Sequence, residues 1–227
     1  MDNDNFDIVV IGSGVIGHSI AFRLKQDDPP LKIAVLGDPV NSLQASRAAA
    51  GMLAPFCECD KADRFFRFCR DSLDKFPLFL EELVSVSEVP VHFSPAGSLM
   101  PSSNYRDTWE ERKAFFIRED ISHEIWSMDK VRQKAPYLAE DCGEVMWVGE
   151  GQVNNRQMHD SLMQASRKLE IHVLEANVSG FIRKDSIIAS AVTDSGNISG
   201  EKFVLASGSW SSQLARVLEV SIPLKPI

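Results

Sequence analysis

Gly12, Gly14 and Gly17 stand in the spacing G-x-G-x-x-G within DIVVIGSGVIGHSIAFRL. After a strand and at the mouth of a helix, such glycines have three uses. The first permits the tight turn, the second lets backbone approach a pyrophosphate, and the third lets helix pack closely on strand. The first helical residues, Val15 and Ile16, then present N–H groups and the positive end of the helix dipole to phosphate. The same chemistry wants an acid about 20 residues on, at the end of the second strand, to accept from an adenosine ribose hydroxyl. Asp38 lies 21 residues past Gly17, directly after IAVLG. A carboxylate there repels a 2′-phosphate, which disfavours NADP. Two plainer roles compete: glycines serving only turn geometry, and Asp38 serving only the turn it begins.

NAD and FAD satisfy these residues equally. ASRAAAGMLAP, residues 45–55, bears on the choice, since it puts five alanines and a glycine into eleven positions after the second strand. A flavin ring needs backbone close by with little side-chain bulk, and Ser46, Arg47, Ala49, Ala50, Gly51 and Met52 offer such a surface together with one hydroxyl and one cation. The competing role is an alanine-rich helix start, alanine being the best helix former. Composition leaves both open.

The surrounding pattern supplies the frame. FDIVVIG and LKIAVLG are short apolar runs of the kind that form buried parallel strands, and SGVIGHSIAFRLKQ between them carries apolar residues at helical spacing. Strand, helix, strand within about thirty residues is the βαβ unit. ADRFFRFCRDSLDKFPLFLEELVSV predicts one or two helices interrupted near Pro77. From Val89 the texture turns to short strands and helices, and GEVMWVGEGQVN returns as extended chain. NRQMHDSLMQASRKLE predicts a helix capped by Asn154 or Asn155. IHVLEA, VSGFIR and IIASAVTD predict strands, and EKFVLASGSWSSQLARVL a second strand, glycine turn and helix.

Composition narrows the classes. The 227 residues carry a net charge of −8, with 44% hydrophobic and 25% charged residues. That is an ordinary globular balance, and an acidic one argues against nucleic acid as a partner. No apolar run approaches the roughly 18 residues of a membrane span. The N-terminus lacks the basic start of a secretory signal, so a cytoplasmic setting is expected, with Cys57, Cys59, Cys69 and Cys142 as reduced thiols. The Cys-x-Cys at 57–59 lacks the second pair of a zinc site, and no metal is expected.

These motifs together resemble the D-amino-acid oxidase superfamily of FAD-dependent oxidoreductases, most closely its glycine oxidase branch. The resemblance rests on the glycine segment, SRAAAGMLAP with CECDKADRFF, SPAGSLM, GQVNNRQMHDSLMQASRKL, VLASGSWSSQL and IPLKPI, in the family's order. One departure stands out: several members carry Glu where this chain has Gly37, others an Asp one place later, as here. The resemblance implies an α/β fold: a Rossmann-like FAD-binding domain with an inserted α+β substrate-domain segment, incomplete at the C-terminus. The expected division is residues 1–88 and 151–222 for FAD, 89–150 for the inserted segment, and 223–227 as the start of a second such segment. It further implies that the 46–52 loop runs along the pyrophosphate and flavin. Val178 would meet the adenine through its backbone, and Ser207, Gly208 and Trp210 would pass the pyrophosphate. Read without the resemblance, Val178 is a sheet residue and Trp210 a core aromatic.

The activity implied is oxidation of a small amino acid or amine such as glycine, sarcosine or a D-amino acid. The arginine that grips the substrate carboxylate belongs to the family's second half, so no catalytic residue is named in this chain. The five histidines, His18 among them, share no spacing. A second polypeptide or C-terminal half is expected to complete the fold, within an oligomer. Two alternatives stand beside this: an NAD-dependent dehydrogenase, and a flavin-carrying subunit that performs no catalysis.

Overall fold

The computed structural model describes residues 5–38 and 45–224. The last three residues of the 223–227 stretch therefore lie outside the described residues. The elements in chain order are β1 (Asn5–Ile11), α1 (Val15–Asp27), β2 (Ile33–Leu36), α2 (Ala45–Ala48), β3 (Met52–Leu53), α3 (Pro55–Glu58), α4 (Arg64–Ser87), β4 (Phe93–Ser94) and β5 (Ser98–Pro101). After them come α5 (Trp109–Arg118), β6 (His123–Trp126), α6 (Met128–Lys134), β7 (Val145–Val148), β8 (Gly151–Val153) and α7 (Asn155–Lys168). The chain closes with β9 (His172–Leu174), β10 (Val178–Lys184), β11 (Ile187–Thr193), β12 (Gly196–Leu205) and α8 (Ser211–Val217).

Contacts divide the chain into two units. The first holds residues 1–49, 82–90 and 155–227, the second 50–81 and 91–154. The second thus takes residues 50–81 along with most of the stretch expected to stand apart.

The first unit is built on a six-stranded sheet in the order β10-β11-β12-β1-β2-β9. β1 runs parallel to β12 and β2, and β2 parallel to β9, while β10, β11 and β12 pair antiparallel. The two apolar runs of the sequence are its central strands because both their faces are covered. Ile8, Val10, Ile33 and Val35 pack into one core layer with Ala21 of α1. Val9, Ile11, Ala34 and Leu36 pack into the other with Leu214 of α8. An isolated polar residue on either strand would meet a core whichever way it pointed, which is why the runs are continuous rather than alternating.

The second unit carries two three-stranded sheets, β3-β8-β4 and β5-β7-β6. Its core gathers Phe56, Phe66, Trp109, Phe115, Phe116 and Met146. α4 is one helix of 24 residues with Pro77 inside it, where an interruption was expected. A proline there removes a helical hydrogen bond and costs about 3 kcal/mol. Burial outweighs it: Phe66 and Leu80 are buried and Leu73 packs on the core, a seven-residue repeat that runs through the proline without changing face. Among the described residues no helix is long and apolar enough to cross a membrane.

Candidate functional site

The site is built at the carboxyl ends of parallel strands. β1 and β2 pair through Ile11 and Leu36, and β1 and β12 through Ile11 and Leu205. The glycine turn, Gly37–Asp38 and Ala206–Ser207 therefore leave the sheet side by side. The Gly12 amide donates to the Leu36 carbonyl at 2.8 Å, and the Ala206 amide to the Ile11 carbonyl at 2.8 Å. Open α/β sheets place ligands at such an edge.

Each fingerprint glycine has a steric reason. Gly12 has φ of +121°, and a Cβ on it would strike the Ala206 carbonyl. A Cβ on Gly17 would strike the Gly12 carbonyl, so this glycine sets the approach of α1 to the turn. On Gly14 it would meet the Ser46 hydroxyl at 2.9 Å. Gly14 caps α1 with no side-chain bond, and the first intrahelical bond is His18 N–H to the Gly14 carbonyl at 3.1 Å. The amides of Val15, Ile16 and Gly17 precede that bond, and Val15 donates to Ser46 Oγ at 3.0 Å.

Gly37, the departure from the resembling family, also acquires a physical cause. Its φ is +149°, and a Cβ there would lie 2.7 Å from Ser13 Oγ and 3.0 Å from the Ser13 amide. Ser13 of the glycine turn fills the space of a side chain at 37. Asp38, half-buried, is the acid at this strand end.

The small-residue stretch forms one turn of helix, α2, and then Gly51 at φ +75° leading into β3. Ala49, Ala50 and Met52 are exposed, and Ser46, Arg47 and Gly51 half-buried. α2 is clamped to the start of α7. Asn155 Nδ2 donates to the Ser46 carbonyl at 2.7 Å and Arg47 pairs with Asp160 at 2.9 Å. The anchors are backbone carbonyls and the Arg47 side chain, so the alanines stay uncovered. Ala50, Gly51 and Met52 belong to the second unit and Ser46–Ala49 to the first.

Val178 begins β10 half-buried, paired with Thr193 beside a register shift. Ser207 Oγ shares a hydrogen bond with Ser211 Oγ at 3.1 Å, while Gly208 is exposed and Trp210 is 56% exposed, which removes the core-aromatic role for that ring.

The sequence pattern did not reveal a buried histidine pair. His18 on α1 and His159 on α7 are fully buried with ring centroids 5.7 Å apart. His18 Nδ1 lies 3.0 Å from Ser166 Oγ, and its Nε2 has no partner. Burial, and after it the neighbouring His159, pull its pKa down to about 4, so it is neutral at pH 7. Helical spacing that puts His159 on the same stripe as Leu162 and Ser166 was the one available signal.

In the second unit, an apolar cleft of about 300 Å³ is lined by Leu53, Pro55, Phe65, Phe68, Leu73 and Phe76. It contains none of the residues expected to hold a cofactor. Among the described residues no His, Cys, Asp or Glu cluster could hold a metal.

Residues 7–227 match the family model DAO, FAD dependent oxidoreductase. The bifunctional protein ThiO/ThiG of Synechocystis sp. is 27% identical over 97% of this chain and 32% of its own length. The glycine oxidase of Bacillus subtilis is 25% identical over 98% of this chain and 59% of its own. The crystal structure of glycine oxidase from Geobacillus kaustophilus superposes with a TM-score of 0.87 at 23% identity, covering 96% of this chain and 59% of that one. The mixed α/β architecture is thus the glycine oxidase fold, and the chain spans about a third to three fifths of the length of these relatives.

Proposed function

Because the chain belongs to the DAO family of FAD dependent oxidoreductases, we propose that it supplies the FAD-binding portion of an enzyme that oxidises a small amino acid or amine of the glycine, sarcosine or D-amino-acid type. The observation that carries this reading is the convergence of the Gly12–Gly17 turn, Asp38 and Ser207 at the ends of adjacent parallel strands. The residues fit the cofactor. The Ile16 and Gly17 amides and the α1 dipole would take the pyrophosphate, Asp38 the ribose hydroxyls, and the uncovered Ala48 and Ala49 would leave room for a flat ring. Val178 and Ser207–Trp210 would line the remainder.

FAD, when bound, supplies the hydride acceptor that turns an amine into an imine, which water then hydrolyses. What this chain contributes is orientation and electrostatics: fixed amides on the phosphates, a carboxylate on the ribose, and backbone without bulk against the ring. The groups that grip the substrate's carboxylate are assigned to the part of the relatives' length with no counterpart here, about two fifths in glycine oxidase, whether in a longer chain or in a second polypeptide.

The test is titration of the purified chain with FAD and with NAD, followed by flavin absorbance and fluorescence. Saturable FAD uptake without NAD uptake is expected. Failure to bind FAD overturns the proposal. Bound FAD that no amine reduces, even when a polypeptide matching the rest of the relatives' length is supplied, would instead favour a flavin-carrying subunit.

A further inference from the structure

Inside the first unit a histidine joins the two segments assigned above to the cofactor. His159 is fully buried, and each of its ring nitrogens has one partner. Nε2 lies 3.0 Å from the carbonyl of Ser13, the residue between Gly12 and Gly14. Nδ1 lies 3.4 Å from Nη1 of Arg47, in the small-residue loop. A guanidinium only donates and a carbonyl only accepts, so these partners dictate a single tautomer: Nε2 carries the proton and donates a hydrogen bond to the Ser13 carbonyl, and Nδ1 accepts from Arg47. The other Arg47 contact, to Asp160, comes from the next residue of the same helix. His159 thus stands on a rigid element and fixes a turn on one side and a loop on the other.

We propose that His159 is a positioning residue for the dinucleotide site: it sets the orientation of the Ser13 peptide, and so of the amides that follow it, while holding Arg47 and its loop in register with that turn. The inference rests on the proposed FAD binding. The two ring nitrogens of His159 bond the two segments of the proposed site, whereas the neighbouring His18 reaches only Ser166 of α7 and leaves its Nε2 without a partner. Rotating the Ser13 peptide would move Gly14, whose own room is already limited by the Ser46 hydroxyl 2.9 Å from where a Cβ would sit.

Three variants of the purified chain test this, with FAD dissociation constants and thermal melts of the cofactor-free form measured for each. His159→Leu keeps a buried side chain but loses both hydrogen bonds, and should weaken FAD about tenfold. His159→Gln keeps a donor for the Ser13 carbonyl and an amide oxygen as acceptor, and should restore affinity to within about threefold of the wild type. Arg47→Leu should weaken FAD alone, yet add little on top of His159→Leu, because the two act through one contact. Long-range ¹H–¹⁵N spectra should show His159 protonated at Nε2. If the wild type binds no FAD, the functional proposal has failed. If the wild type binds and His159→Leu binds equally well while folded, or if His159 is the Nδ1–H tautomer, or if the losses from Arg47→Leu and His159→Leu simply add, this inference alone is overturned.

Discussion

The Val15 amide donates to the Ser46 hydroxyl at 3.0 Å, so the first turn of α1 is tied to the small-residue loop across 31 residues of sequence. Ser46 caps a helix it does not belong to. Losing a distant cap of this kind costs on the order of 1 kcal/mol, as a local one does. Ser46→Ala should therefore lower unfolding stability by about 1 kcal/mol in urea titration. The proposed FAD site predicts a second effect, weaker FAD binding, because the loop is no longer registered to the turn. Unchanged stability would show that the bond is made equally well to water.

Gly17→Ala sets two effects against each other. In a helix, alanine is worth up to about 1 kcal/mol over glycine. Here the added methyl would strike the Gly12 carbonyl, which is backbone and cannot rotate away. Overpacking against a fixed group costs about 1–3 kcal/mol, so the clash wins. Denaturant unfolding should show net destabilisation, and a more stable Gly17→Ala variant would mean that α1 leaves room for a methyl group against the Gly12 carbonyl.

Ala49 gives the opposite case. It is exposed, and substitutions at exposed positions stay within about 0.5 kcal/mol of the parent. Ala49→Trp should leave the thermal melt of the cofactor-free chain unchanged. If the loop lies along the flavin, it should weaken FAD by tenfold or more. Unchanged affinity would move the flavin surface elsewhere.

How much of this was legible follows from what each feature needs. β1, α1 and β2 were plain in the sequence because both strand faces are buried, and continuous apolar runs with a glycine turn between them have few other uses. The atom that requires Gly17 is the Gly12 carbonyl within the same motif, so that glycine carried its own reason, whereas Gly12 is confined by the carbonyl of Ala206 at the far end of the chain. His159 was opaque, since its partners Ser13 and Arg47 lie 146 and 112 residues away and only the packing of α7 beside α1 and α2 brings them together. Pro77 misled for a related reason: local propensity argued for a break, and tertiary burial of Phe66 and Leu80 paid for continuity. β12 begins at Gly196, earlier than its apolar end suggested, because residues 196–199 pair antiparallel with β11, where the Thr193 hydroxyl donates to the Gly196 carbonyl and the Ser190 and Ser199 hydroxyls share a bond.

His18 makes stability depend on pH. Its pKa falls from 6.5 to about 4 on folding, so the unfolded chain binds the extra proton between those values. Stability is then full above pH 6.5 and declines as pH drops toward 4, by about 3 kcal/mol at 1.36 kcal/mol per unit. The groups facing the ring are His159 and Ser166, neither of which supplies a negative charge. In urea unfolding across this range, His18→Leu should remove most of the slope. A slope that survives the substitution would place the proton uptake on another group.

Glu150 caps a helix of the second unit through one carboxylate oxygen. α3 starts at Pro55, which has no N–H, and its next two amides, Phe56 and Cys57, donate to Glu150 Oε1 at 2.6 and 2.9 Å. Arg112 donates to the Cys57 and Cys59 carbonyls at the other end. A four-residue helix is thus held at both ends by side chains from elsewhere. Glu150→Ala would strand two amides and should cost about 2–5 kcal/mol, whereas Glu150→Gln keeps an oxygen for them and should cost about 1. The Cys57 thiol reports the change. Burial first, and then the Glu150 carboxylate, push its pKa far up, so it should alkylate more slowly at pH 8.5 than an exposed thiol. Glu150→Gln removes the charge and not the burial. Peptide-resolved mass spectrometry should show labelling of Cys57 faster by a few-fold in that variant and still slow in absolute terms. Fast labelling in the parent chain would show that Cys57 is not buried in solution, and equal labelling of parent and Glu150→Gln that the Glu150 contact is not made.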